Sequence, residues 1–107
     1  MWNLSIPAIL KAYIDYVSVT GITFKYTAEG PVGLLKDKKA VHIVSRGGEY
    51  ANAPYEMGDR YLRTILGFFG ISEIETIAVE NVDVIGVNVQ EKVEEGIKKA
   101  NLLAQKF

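Results

Sequence analysis

Apolar positions along the chain switch between helical and strand-like spacing, and each switch marks a new element. Ile6, Leu10, Tyr13, Ile14 and Val17 recur at three- and four-residue steps, the inward stripe of a first helix. Pro7 suits its first turn, where a missing N–H costs no bond. Gly21 is expected to stop it. Ile22 to Thr27 alternates and is rich in β-branched and aromatic side chains, which predicts a short strand or extended arm. Glu29-Gly30-Pro31 is expected to turn this arm, with Val32 to Leu35 returning as a second short strand.

Lys38 to Ser45 is the clearest strand. Ala40, Val41, His42, Ile43 and Val44 form a nearly unbroken apolar run, the pattern of a parallel strand covered on both faces. Ser45-Arg46-Gly47-Gly48 ends it, and a polar loop continues to about Pro54. A second helix is predicted from about Tyr55 to Phe69, with Tyr61, Leu62, Ile65, Leu66 and Phe69 inward and Gly70 as its stop. Ile74 to Val79 reads as a less continuously apolar edge strand. After an irregular connection over residues 80–88, Asn88 caps a last helix, with Glu91 three residues on as in a capping box. Val89, Val93, Ile97, Ala100, Leu103 or Ala104, and Phe107 line one of its faces.

Strands alternating with helices imply right-handed crossovers and a parallel sheet, so the class is α/β. Two strands make a poor sheet, because roughly three or more are needed for independent stability. Further strands are therefore expected beside Lys38–Ser45. At 107 residues the chain is at most one domain, and 49% apolar residues give it material for a core. A net charge of -1 argues against a nucleic-acid partner. The lack of cysteine excludes disulfides and thiolate metal sites and suits a reducing cytoplasm. No apolar run approaches the roughly 18 residues of a membrane span, so no membrane partner is expected.

Ser45-Arg46-Gly47-Gly48 lies where ligands bind in such sheets, at the carboxyl end of the central strand. Its glycines let the backbone approach a flat ligand, while the serine hydroxyl and the guanidinium add donors. An ordinary glycine turn after a strand fits the same residues. Met1-Trp2-Asn3-Leu4 opens the chain as a strand-to-helix loop with no strand before it. Trp2 offers stacking area and Asn3 a donor and acceptor, although a lone tryptophan is more often core. Both loops would share one sheet edge. His42 reads as a core or helix-facing residue, and Glu73, Glu75, Glu80 and Asp83 as a solvated rim. Tyr50, Tyr55 and Met57 fit either a pocket lining or an anchor for the long loop.

The stretches MWNLSIPAILKAYIDYV, TFKYTAEGPVGLLKDKKAVHIVSRGG and APYEMGDRYLRTILGFFGI resemble the C-terminal half of the FMN-dependent NADH-azoreductases, which also reduce quinones. The match covers about residues 1 to 80; beyond Val79 only a generic terminal helix is shared. The resemblance implies a flavodoxin-like three-layer parallel sheet, truncated here to about two core strands, a hairpin-like arm and three helices. Residues 1–107 would be the C-terminal part of one such domain. It implies flavin contacts from Met1, Trp2, Asn3 and Leu4 and from Ser45, Arg46, Gly47 and Gly48. Trp2 and Leu4 replace a tyrosine and a phenylalanine of the family pattern. Tyr26 is implied near a neighbouring subunit's substrate pocket, and the helix Ile6–Val17 in a homodimer interface.

The resemblance further implies a ping-pong cycle, in which NADH reduces bound FMN and an azo compound or quinone then takes the two electrons. No side chain of this chain need act as acid or base, and no metal is implied. The family's serine-rich phosphate loop has no counterpart among these residues, and Met1 aligns with a methionine inside the family motif. The alternative is a truncated, catalytically inactive fragment or interaction module.

Overall fold

A computed structural model describes all residues from Met1 to Phe107. The order is α1 (Ala8–Val17), β1 (Phe24–Thr27), β2 (Gly30–Gly33), β3 (Lys39–Ser45), α2 (Gly58–Phe69), β4 (Glu73–Val79) and α3 (Val89–Ala104). β1 and β2 form an antiparallel hairpin, while β3 and β4 pair in parallel from Lys39↔Glu73 to Ser45↔Val79. The predicted types all appear in the predicted order.

Element ends depart from the apolar pattern where side chains cap the backbone. α1 stops at Val17 rather than near Gly21, because the Ser18 hydroxyl donates to Ile14 O (2.6 Å) and the Thr23 hydroxyl to Val17 O (2.8 Å). Each adds a side-chain bond to a carbonyl of the last turn, which also accepts from Ser18 N or Val19 N. Gly21, at φ 87°, serves the following turn instead. In the hairpin, Gly30 and Pro31 lie within β2, opposite Thr27 and Tyr26, so Ala28 and Glu29 make the turn. Pro31 is tolerated there because a two-stranded ribbon has edges that need no ladder donor. α2 begins at Gly58, later than the expected Tyr55, since Glu56 folds back to cap it. Gly70 closes it in the left-handed region at φ 107°, as expected.

The parallel pair sits between helices. His42 and Thr76, cross-strand neighbours, face α2, whereas Val41, Ile43 and Ile77 face α3. Asn88 caps α3 by accepting from Glu91 N at 3.2 Å. Gly96 is the closest point of α3 to the sheet: a Cβ there would lie 2.7 Å from Val79 Cγ2. The buried line of α3 thus runs through Lys92, Gly96, Ala100 and Leu103, and the expected inward Val89, Val93 and Ile97 stay exposed. The helix packs chiefly on β4, which leaves the rest of its apolar stripe beside an open face.

The core lies off the sheet. Ile14, Phe24, Leu62 and Phe69 are buried together, with Ile6, Leu10, Val17, Leu35, Ile65 and Leu66 packed around them. This cluster joins α1, the hairpin and α2; Tyr13, expected inward, is 63% exposed on the outer side of α1. Gly33 and Gly70 bring the hairpin backbone onto the end of α2, and Leu35 N donates to Phe69 O at 2.9 Å. The second edge of β3 carries no partner strand, and Ile43 is 68% exposed.

Candidate functional site

Four segments converge at the carboxyl end of β3 and β4. Trp2 to Ser5 forms a tight turn closed by reciprocal backbone bonds, Trp2 N to Ser5 O and Ser5 N to Trp2 O, both 2.9 Å. Its central residues, Asn3 (φ 48°) and Leu4 (φ 67°), are both left-handed. Asparagine tolerates that region, but leucine pays on the order of 1 kcal/mol for it. The surroundings hold the turn in place: Met57 N donates to Leu4 O at 2.8 Å, and Met1 N donates to Ser45 O at 2.6 Å. The amides of Asn3 and Leu4 bond to nothing in the chain.

The loop after β3 is ordered by its carbonyls. Arg46 O, Gly47 O and Gly48 O accept from Val82 N, Asp83 N and Asn81 N at 3.2, 3.0 and 3.2 Å. In a planar trans peptide the N–H points opposite to the preceding C=O. With three consecutive carbonyls turned to residues 81–83, the N–H groups of Gly47, Gly48 and Glu49 point the other way. None of the three has a partner within the chain. Such a row of like-directed amides is a receptor for negative charge or electron-rich atoms. Tyr50 packs over Gly48, where a Cβ would meet its ring at 3.1 Å, and Tyr50 stacks edge-on against Tyr55 at 5.9 Å. These tyrosines anchor the loop; Met57 alone of the aromatic-and-methionine set lines a groove.

Arg46 corrects the expectation of a guanidinium aimed at a ligand. Its side chain is 3% exposed and lies between two carboxylates, with Nη2 3.7 Å from Glu56 Oε2 and Nη1 3.4 Å from Glu80 Oε2. Its backbone is equally engaged, N to Val79 O (2.8 Å) and O from Val82 N. Glu80 is accordingly no rim residue. It accepts from Tyr50 N at 2.6 Å as well as facing Arg46. Glu56 was not legible as a site residue; a polar residue just before a helix is the signal for its cap, but nothing local tells that the same carboxylate meets Arg46.

His42 has a partner that the sequence did not reveal. Its Nδ1 lies 2.9 Å from Asp59 Oδ1, and Asp59 also accepts from the Thr76 hydroxyl and from Arg63 Nε. Burial pushes the Asp59 carboxyl up, but the hydrogen bonds from Thr76, His42 and Arg63 outweigh it and hold the carboxyl at about 2. The cluster ties α2 to both strands.

Trp2 is 66% exposed, which rules out the core reading for it. It forms one wall of a concavity of about 1120 Å³, whose other walls are the first turn of α1, Met57 just before α2, and the α2 residues Arg60, Tyr61 and Thr64. That groove touches the Trp2–Ser5 turn and not residues 47–49. Tyr26 is exposed on the hairpin, at the far end of α2 from both loops, a helix length of about 18 Å. The structure therefore brings Met1 to Leu4 and Ser45 to Gly48 together and leaves Tyr26 apart from them. No group of three or more His, Asp or Glu side chains is placed to hold a metal ion, and no helix is long and apolar enough to cross a membrane.

A family model described as a flavodoxin-like fold matches residues 1–103. The chain belongs to this flavodoxin-like family. An FMN-dependent NADH:quinone oxidoreductase of Clostridium perfringens (strain ATCC 13124) is 83% identical over 107 residues, covering all of this chain and 54% of that protein. A protein of the same name from Lachnoclostridium phytofermentans is 70% identical over the same length, again 54% of that protein. Among solved flavodoxin-like structures, the azoreductase from Bacillus anthracis str. Sterne matches with a TM-score of 0.89 at 43% identity, over 99% of this chain and 52% of that one. An FMN-dependent NADH-azoreductase from Bacillus anthracis str. Ames Ancestor in complex with FMN matches with a TM-score of 0.91 at 31% identity, over 99% and 51%. The chain spans about half the length of the curated relatives it matches.

Proposed function

We propose that the chain carries the ring-contacting part of an FMN-dependent NADH oxidoreductase that reduces quinones and azo compounds by two-electron ping-pong transfer. Residues 1–107 then form the C-terminal part of one flavodoxin-like domain. The observation that carries this reading is the row of partnerless amides at Gly47, Gly48 and Glu49 beside those of Asn3 and Leu4. Five donors around one strand end suit a flat ring edged with carbonyl oxygens and ring nitrogens. The names of the relatives agree.

In this reading Met1, Trp2, Asn3 and Leu4 and Ser45, Gly47 and Gly48 hold FMN, largely through backbone, and Arg46 does so only by its place in the loop. FMN supplies the hydride-accepting and electron-donating chemistry. The amide row stabilises added negative charge at its edge, which favours reduction of whatever it binds. Tyr26 serves the substrate pocket of a second copy, in keeping with its distance from the loops of its own chain. A homodimer through the outer face of α1, where Ile9, Tyr13 and Tyr16 are exposed, completes that pocket, and the cytoplasm is its site of action.

The test is an FMN titration followed by steady-state kinetics. The domain that joins residues 1–107 to the half its relatives add is expected to quench FMN fluorescence at a defined stoichiometry, whereas the 107 residues alone are expected to bind FMN weakly or not at all. With NADH and a benzoquinone or an azo dye varied together, the joined domain is expected to give the parallel double-reciprocal lines of a ping-pong cycle. A joined domain that takes up no FMN, or that oxidises NADH without passing electrons to either acceptor, overturns the proposal.

A further inference from the structure

We propose that Glu56 is a positioning residue for the amide row, acting through Arg46 and through the first turn of α2. The proposal deepens the flavin reading and rests on it for the identity of the ligand. Glu56 is buried and does two jobs at once. Oε1 accepts from Gly58 N (2.8 Å) and Asp59 N (3.1 Å), capping α2, while Oε2 shares Asp59 N (3.3 Å) and alone faces Arg46 Nη2 (3.7 Å). The next residue, Met57, holds Leu4 O through its amide. One carboxylate thus connects the Trp2–Ser5 turn, by way of the α2 N-terminus, to the residue from which the 47–49 row begins.

A cap alone does not explain this arrangement. Capping is well served by an exposed serine, asparagine or aspartate, without the cost of a buried charge. Arg46 does not need Glu56 for neutrality either, because Glu80 already faces it. Two carboxylates around one guanidinium leave Arg46 held by charge from two directions rather than by saturated hydrogen bonds, and its buried Nε has no partner at all. Its position depends on both anions. Gly47 O and Gly48 O tie the middle of the row to Asp83 N and Asn81 N, while Arg46 sets one end of the row and Tyr50, held by Glu80, the other. Loss of the Glu56 charge lets the Arg46 end of the row move relative to the Trp2–Ser5 turn, and the two sets of free amides no longer keep a fixed relation to one another.

Two variants separate positioning from general stability. Glu56→Gln keeps the size and an oxygen for the α2 amides but removes the charge on Arg46. Asp59→Asn weakens the attachment of α2 to the sheet without touching Arg46. The amide NMR signals of Gly47, Gly48 and Glu49, FMN affinity by fluorescence quenching, and the visible circular dichroism of bound FMN are read in the joined domain beside the melting temperature. In Glu56→Gln the three signals are expected to shift and FMN to bind roughly tenfold more weakly, about 1.4 kcal/mol. Asp59→Asn is expected to melt earlier with those signals and the affinity unchanged. Glu56→Gln protein with unmoved amides and wild-type affinity overturns the proposal. Should Glu56→Gln fail to fold, Arg46→Lys, which keeps a cation between the carboxylates, is expected to move the same signals, and unmoved signals there overturn it equally. A wild-type joined domain that binds no FMN sinks the flavin reading instead, and the amide signals still decide whether Glu56 sets the row.

Discussion

At the scale of single residues, the side chains that matter most are the ones that touch no ligand. Arg46 is the case in point. Its type and place after β3 suggested a donor, yet its guanidinium lies inward between Glu56 and Glu80. Removing one member of a buried charge cluster leaves the others uncompensated. Arg46→Ala is therefore expected to lower unfolding stability by about 3–5 kcal/mol, read from the urea midpoint. Asp59 gives a pH prediction with a definite sign. Its carboxyl is held at about 2 against an ordinary 3.8, so it binds its proton less readily when folded. The stability it contributes is complete above about pH 4 and is lost as the pH falls towards about 2. Wild-type protein and Asp59→Asn, compared by urea melts across that window, should differ at pH 6 and converge near its acid end. A difference that persists unchanged at the acid end counts against the assignment.

At the scale of elements, spacing was a good guide to type and a poor one to limits. The ends of α1 and α2 are set by Ser18, Thr23 and Glu56 capping the backbone, contacts that the apolar period does not register. The α3 stripe misled because it assumed one covering surface. Packed chiefly on β4, the helix turns Gly96 to the strand and leaves Val93 and Ile97 outside. The hairpin depends on a backbone contact of the same kind, Gly33 against Gly70. A Cβ at Gly33 would overlap the Phe69–Gly70 peptide, so Gly33→Ala is expected to cost roughly 1–3 kcal/mol. Hydrogen exchange should show the loss first in the amides of Lys25 and Val32, a hydrogen-bonded pair of the hairpin, while β3 and β4 keep their protection. Uniform deprotection of the whole chain would contradict an independently docked arm.

At the scale of the whole molecule, the chain is open. Its radius of gyration is 16.0 Å, where a compact chain of this length has about 13 Å. It exposes 7472 Å² of surface, against about 5,900 Å² for a typical folded monomer of its mass. Only 11 of 107 residues are buried, and the excess surface includes Ile43 on a strand whose outer edge has free backbone groups. Exposed apolar strand edges recruit other strands. The 107-residue chain by itself is expected to sediment above its 11.8 kDa monomer mass, with a share of larger species that grows with concentration. A sharp monomer boundary at all concentrations would show that the edge is better protected than its geometry indicates.

Periodicity and turn chemistry by themselves determined the α/β class, the order of elements, and the two loops at the carboxyl end of β3. These are local properties, because spacing, glycine and caps act within a few residues along the chain. Only the tertiary structure decided which way Arg46 points, that Glu80 is internal, that Glu56 joins the two loops, and that His42 meets Asp59. Each of these pairs residues ten or more positions apart, and its sign depends on which face of one element meets another. A guanidinium at a strand end is a donor to solvent or to carboxylates from two other segments with equal local propriety, and only the approach of those segments settles it.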